Sequence, residues 1–155
     1  HSISVFFPAY NDAPSLPPLI GKTFAVLEDH FRDFEVIVVN DGSQDDTGAV
    51  LEKLREQHGP ALRIITHPEN RGYGGALRTG FAAATKDLVF YTDGDGQYDV
   101  AELPRLYARL GPDTGLVNGF KLERQDPWHR IFIGKVYNRF ARFVSVEFEA
   151  PRIDA

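Results

Sequence analysis

An α/β fold with a mostly parallel sheet, covered by helices on both faces, is predicted by three features of this 155-residue chain. Apolar runs of strand length alternate with segments of helical periodicity. The strand-length runs are continuously apolar, as expected of strands buried on both faces. Polar stretches, residues 8–12, 40–43 and 93–97, follow three of them at the carboxyl end, where open parallel sheets bind ligands.

Residues 3–7 form the first apolar run and predict a buried strand. Leu16, Leu19, Ile20, Phe24 and Leu27 then recur at helical spacing. Residues 34–39 predict a second strand. Val50, Leu51 and Leu54 mark a second helix, with start signals at Asp45, Asp46 and Thr47. Residues 62–66 predict a third strand, and the alanine-rich stretch 74–84 a third helix. Residues 88–92 predict a fourth strand. Asp99 with Glu102 resembles a capping arrangement opening a helix to Leu110. Leu116 and Val117 predict a short fifth strand, and residues 128–146 a last long helix.

The composition narrows the class of function. The chain is 43% hydrophobic and 25% charged, which fits a globular domain and not a disordered one. A formal net charge of −5 argues against a nucleic-acid partner. The absence of cysteine rules out disulfides, thiolate metal sites and cysteine nucleophiles, and fits a reducing compartment. No apolar run reaches the ~18 residues of a membrane span. The chain also lacks methionine. It is therefore expected to begin after its natural start and to be cut at its C-terminal end, with 1–155 read as one truncated domain.

Asp93-Gly-Asp95-Gly-Gln97 is the sharpest local signal. Two carboxylates two residues apart on a turn can converge on one hard cation, and the glycines let the backbone bend around it. A solvated Asp-Gly turn explains the motif equally well in isolation. An EF-hand loop does not fit, because Tyr98 and Pro104 stand where it needs Gly and Glu. Asp41-Gly-Ser43 follows the second strand directly. Its carboxylate can accept from a base N–H or a ribose hydroxyl, or the segment can simply be a capped turn.

Asn70-Arg-Gly72-Tyr-Gly74-Gly75 enters a helix and can present backbone N–H groups to an anion. A dinucleotide fingerprint is disfavoured, because Leu77 stands where the third glycine belongs. Arg124 and Arg130 carry guanidinium forks suited to phosphate, with surface solvation as the alternative. His58, His67 and His129 show no metal spacing and are read as surface residues. On the last helix Phe132, Ile133, Val136, Tyr137, Phe140, Phe143 and Val144 share one face, with Lys135, Arg139 and Arg142 beside it. That stripe suits either core packing or a membrane interface.

Four motifs occur in one order: Val5-Phe-Phe-Pro-Ala-Tyr-Asn11; Val36-Ile-Val-Val-Asn-Asp-Gly-Ser43; Asn70-Arg-Gly-Tyr-Gly-Gly-Ala76; and Asp93-Gly-Asp-Gly-Gln97. Together they resemble family 2 glycosyltransferases of the GT-A fold. Within that family they are most similar to the dolichyl-phosphate-mannose synthase and polyprenyl-phosphate glycosyltransferase branch. The resemblance runs from Ile3 to about Asn138 and implies a Rossmann-like three-layer sandwich. It also implies a metal-dependent, inverting transfer from a nucleoside-diphosphate sugar to a polyprenyl phosphate. The resemblance then assigns roles residue by residue. Pro8, Ala9, Tyr10, Asn11 and Asp12 line the nucleotide pocket, although the family usually has Glu where Asp12 stands. Asp41 contacts the base, and Gly72 and Gly75 let their loop approach the nucleotide. Asp93, Asp95 and Gln97 meet Mg²⁺ or Mn²⁺ and the diphosphate, Asp95 counting also as catalytic. Arg124 and Arg130 bind donor or acceptor phosphate. Asp154 stands where the family's next motif begins and is the candidate catalytic acid near the acceptor. The implied setting is the cytoplasmic face of a membrane, with the 128–146 helix as a peripheral contact. Transfer to a saccharide or other hydroxyl, and an inactive nucleotide-sugar-binding fragment, are the alternatives.

Overall fold

Among the described residues, four strands and four α-helices alternate: β1 (Ile3–Ala9), α1 (Leu16–His30), β2 (Phe34–Asn40), α2 (Thr47–His58), β3 (Leu62–Thr66), α3 (Gly72–Ala83), β4 (Leu88–Tyr91) and α4 (Leu103–Tyr107). The structure is a computed structural model and describes residues 1–94, 98–111 and 113–119. The chain divides into two compact units, His1–Val117 and Asn118–Ala155, and all these elements belong to the first.

The strands form one parallel sheet in the order β3-β2-β1-β4. β1 lies inside it, and all seven of its residues are buried. That is why its sequence lacks the alternation of a half-exposed strand. Successive side chains of a strand face opposite ways, so each central strand feeds two cores. Val5, Phe7, Val36 and Val38 pack with Leu16, Ile20, Leu27, Leu51 and Leu54 from α1 and α2. Phe6, Ile37 and Val39 pack on the other face with Ala76 of α3.

This layering follows from the handedness of crossovers. The chain steps one way from β1 to β2 to β3, then back past β1 to β4. Right-handed connections place α1 and α2 on one face for the outward steps and α3 on the other for the return. The three-layer α/β sandwich expected from the sequence is therefore present.

The amino end of the sheet is tied by a buried carboxylate. Glu35 accepts from Ser4 Oγ at 2.7 Å, Arg63 at 2.6 Å and Thr85 N at 2.8 Å. Burial alone would raise the Glu35 pKa; the Arg63 guanidinium and the Ser4 and Thr85 donors outweigh it and hold the group at about 2. Three strands and the chain after α3 are joined at this point, leaving the opposite end of the sheet to the turns that follow β1, β2 and β4.

Three expectations need correction. Leu116 and Val117 form no strand, and Leu116 is 83% exposed. Two apolar residues are too short a run to secure a ladder. The helix expected to reach Leu110 stops at Tyr107 after a 3₁₀ turn at Val100–Glu102. Arg109 and Leu110 bond back three residues instead of four, which tightens the last turn. Asp99 does cap that start by accepting from Ala101 N at 2.9 Å, while Glu102 turns to Arg105. Finally, α3 begins at Gly72, two residues earlier than expected, because Asn70 Oδ1 accepts from Gly72 N at 2.8 Å. The predicted helix 128–146 lies outside the described residues.

Candidate functional site

The strand order reverses between β1 and β4, so a crevice is expected above the carboxyl ends of those two strands. A cavity of about 370 Å³ is found there. β1 and its turn contribute Pro8, Ala9, Tyr10 and Asp12, and the turn after β2 contributes Asp41. Asn70, Gly72, Tyr73 and Ala76 come from the glycine-rich segment, and Asp93 and Gly94 follow β4. Motifs far apart in sequence thus meet at one place, at a size usual for small-molecule sites, ~300–1,000 Å³.

Each lining segment is fixed by its own hydrogen bonds. Asp12 Oδ2 accepts from Tyr10 N at 2.9 Å, closing the turn after β1, and Asp12 N donates to Thr47 Oγ1 at 3.0 Å. Asn11 is not among the lining residues. It takes φ 56°, its amide donates to Ser43 Oγ, and its Oδ1 accepts from Gln44 N. Its work is to join the β1 turn to the β2 turn. Gly94 packs so closely on β1 that a Cβ there would sit 2.7 Å from the Pro8 carbonyl oxygen. Ser15 Oγ donates to the Gly94 carbonyl at 2.9 Å, so the β4 turn is clamped to the start of α1.

Asp41 lies in the cavity wall but is only 4% exposed. Its Oδ1 accepts from His67 Nδ1 at 2.6 Å and from Arg71 N at 2.9 Å. Burial raises its pKa, but the Arg71 amide, His67 and the Gly72 amide outweigh that and hold the carboxyl below its usual range. Asp41 therefore supports the glycine-rich segment as well as facing the cavity. Gly72 takes φ 77°, a left-handed conformation that glycine adopts without strain. Gly75 is not a lining residue; a Cβ there would meet the Cβ of Arg71 at 2.7 Å.

Asp93 is half-buried, and its Oδ1 accepts from the Tyr73 hydroxyl at 2.9 Å. Burial of the phenol and the adjacent Asp93 carboxylate push the Tyr73 pKa up to about 12. Among the described residues no cluster of three His, Asp or Glu side chains surrounds a common point. Mg²⁺ needs none, being commonly held by one or two carboxylates plus substrate phosphates. Asp93, a carboxylate at the edge of a ligand-sized cavity, fits that donor set. Asp95, Gln97, Arg124, Arg130 and Asp154 lie outside the described residues.

His67 corrects an expectation. It was read as a surface residue, yet it is 4% exposed and bonded on both ring nitrogens. Its place immediately after β3, at the binding end of the sheet, was the available signal. Tyr73 also had no assigned role in the sequence. Its contact with Asp93, twenty residues away, forms only through the return crossover to β4.

The model of "Glycosyl transferase family 2" matches residues 4–149. An undecaprenyl-phosphate 4-deoxy-4-formamido-L-arabinose transferase of Enterobacter sp. (strain 638) is 34% identical over 90% of this chain and 42% of the relative. The chain thus spans less than half the length of that relative. Among solved structures, a Pyrobaculum calidifontis mannosyltransferase in complex with GDP-Man and Mn²⁺ superposes with a TM-score of 0.56 at 28% identity, over 64% of this chain and 29% of that one. S. aureus TarS 1-349 in complex with UDP-GlcNAc gives a TM-score of 0.57 at 28% identity, over 70% of this chain and 30% of that one. The parallel sheet and its helices accord with these glycosyltransferases of GT-A architecture, and the chain belongs to glycosyltransferase family 2.

Proposed function

We propose that this chain is the donor-binding and catalytic part of a metal-dependent glycosyltransferase. It moves a sugar from a nucleoside diphosphate to a polyprenyl phosphate. The observation that carries this is the cavity at the β1/β4 switch point, walled by Asp12, Asp41 and Asp93 and by the start of α3. Three acid side chains repel a bare diphosphate, so an anionic donor is accommodated there with a cation interposed. Asp93 would hold that cation, with Asp95 and Gln97 as further ligands. When bound, it supplies charge neutralisation for the departing diphosphate.

The chain's own residues orient the donor. The turn at Pro8–Asp12 and the Asp41 carboxylate border the nucleoside, and the glycine-rich start of α3 lets backbone approach it. An oxygen of the acceptor phosphate attacks the anomeric carbon from the face opposite the diphosphate. The anomeric C–O bond breaks, the nucleoside diphosphate leaves and the configuration inverts. A phosphate acceptor is already ionised and needs no general base, whereas a hydroxyl acceptor would need one. Arg124 and Arg130 would pair with donor or acceptor phosphate, and Asp154 would stand near the acceptor.

The polyprenyl phosphate acceptor is supported by the relative named for undecaprenyl phosphate. On this reading the full-length protein works at the cytoplasmic face of a membrane, in peripheral contact through residues 128–146, whose sequence predicts a helix. Among the described residues no helix is long and apolar enough to cross a bilayer. The deciding experiment is calorimetry of UDP and GDP with and without Mn²⁺, followed by transfer assays with undecaprenyl phosphate and with soluble sugars on the full-length protein. Mn²⁺-enhanced binding of one nucleotide and transfer to the lipid are expected. Transfer to a soluble hydroxyl alone would replace the acceptor, and no binding of either nucleotide would overturn the site.

A further inference from the structure

His67 is buried directly after β3 and bridges two elements. Its Nδ1 lies 2.6 Å from Asp41 Oδ1, and its Nε2 lies 2.9 Å from Thr79 Oγ1 on α3. Asp41 is ionised, so Nδ1 carries a proton and donates it. Thr79 has one hydroxyl proton and two acceptors in reach, Nε2 and the Gly75 carbonyl at 3.1 Å. Given to Nε2, it leaves the ring held at both nitrogens. Asp41 Oδ1 in turn accepts the Arg71 amide at 2.9 Å, in the residue before α3 begins. One imidazole and one carboxylate oxygen therefore lock the end of β2, the segment after β3 and the first two turns of α3 together. Asp41, Gly72 and Ala76, all within this unit, line the cavity.

We propose that His67 is a positioning residue for nucleoside-diphosphate binding: it fixes the orientation of the Asp41 carboxylate and, through the Arg71 amide, sets the glycine-rich start of α3 against the ligand. This rests on the assignment of the cavity as a nucleotide site. A histidine that merely filled the core would be indifferent to which of its two polar bonds survived. The positioning role depends on the bond to Asp41.

Two substitutions separate these bonds. In His67→Asn the side-chain amide nitrogen can take the place of Nδ1, two bonds from Cβ, and still donate to Asp41. In His67→Gln the amide nitrogen can take the place of Nε2 and reaches Thr79 instead. Calorimetry of the 155-residue chain with UDP and GDP in Mn²⁺, and amide exchange at Arg71 without nucleotide, give the readouts. His67→Gln is expected to lower affinity at least ~tenfold and to speed Arg71 exchange, as loss of a bond to a charged group implies. His67→Asn is expected to recover most of both. Equal losses in the two variants, or a milder effect of Gln, would overturn the proposal. Were His67→Gln not to fold, Thr79→Val frees Nε2 and keeps the imidazole. Because the bond to Asp41 survives, affinity and Arg71 exchange are then expected to stay within about twofold of native, and a loss of about tenfold would overturn the proposal. If the native chain binds neither nucleotide, the cavity assignment fails, while Arg71 exchange still decides whether His67 sets the loop.

Discussion

The Tyr73 hydroxyl donates to Asp93 Oδ1 at 2.9 Å, joining the first turn of α3 to the turn after β4 across the mouth of the cavity. Both residues stand on segments without long side-chain anchors: Tyr73 lies between Gly72 and Gly74, and Asp93 precedes Gly94. Their mutual bond therefore does much to set where the Asp93 carboxylate points. A phenol proton on one oxygen leaves the carboxylate able to hold a cation through the other, the arrangement by which outer partners orient metal ligands.

Tyr73→Phe removes that hydroxyl and little else, the residue as a whole being 56% exposed. Loss of an orienting partner typically weakens metal affinity ~10–100-fold. Nucleotide affinity in Mn²⁺ is thus expected to fall by about tenfold, while affinity without Mn²⁺ stays unchanged. Calorimetry in both conditions checks this. A fall of equal size in each would show Tyr73 touching the nucleotide itself.

Asp93→Asn keeps the shape and removes the charge. The Mn²⁺ enhancement of nucleotide binding should disappear. Asp93 is a half-buried turn residue, so stability should stay within ~0.5 kcal/mol of the native chain. Urea unfolding measures the second quantity and calorimetry the first. Retained enhancement would move the cation to other ligands.

The fold was legible because the signals were local. Residues 62–66, predicted as a strand from Leu62, Ile64, Ile65 and Thr66, form β3 over the same span. Leu16, Leu19, Ile20, Phe24 and Leu27, read from spacing alone, are the buried face of α1. The site was legible only as segments. Pro8, Asp41, Gly72 and Asp93 were each singled out, and it took the reversal of strand order at β1 to bring them to one cavity.

The roles within that site were less legible, because they depend on pairs distant in sequence. Asp41 was expected to meet a ligand, yet most of its hydrogen bonding goes to His67 and Arg71. Nothing in residues 40–43 shows that a histidine 26 positions later will sit against them. Asn11 was read as a pocket residue from its motif, but its positive φ and its bonds to Ser43 and Gln44 make it the link between two turns.

Gly94→Ala tests how closely the β4 turn must lie on β1. The added Cβ would sit 2.7 Å from the Pro8 carbonyl oxygen, a backbone atom that cannot rotate away. The turn must shift, at a cost of about 1–3 kcal/mol typical of overpacking. Asp93 moves with it, so Mn²⁺-dependent nucleotide affinity should fall together with urea stability. A variant with native stability and native affinity would show that the turn tolerates displacement.

Glu35 makes a pH prediction at the other end of the sheet. Its folded pKa is about 2 against an ordinary 4.5. The unfolded chain therefore binds a proton that the folded chain does not, at any pH between those values. The stabilisation is fully present above about pH 4.5, is lost as pH falls towards 2, and at neutral pH amounts to about 3 kcal/mol by linkage. Glu35→Gln abolishes the titration. It should be markedly less stable than the native chain at pH 7, because Arg63 loses its partner and the buried Ser4 hydroxyl and the Thr85 groups lose a strong acceptor. The gap should then narrow between pH 4.5 and pH 2, as the native carboxylate takes up its proton and the two side chains become alike in charge. Urea unfolding of both proteins at pH 7, 4 and 3 measures it. A gap independent of pH would mean that Glu35 acts through packing alone and that its ionisation contributes nothing to the fold.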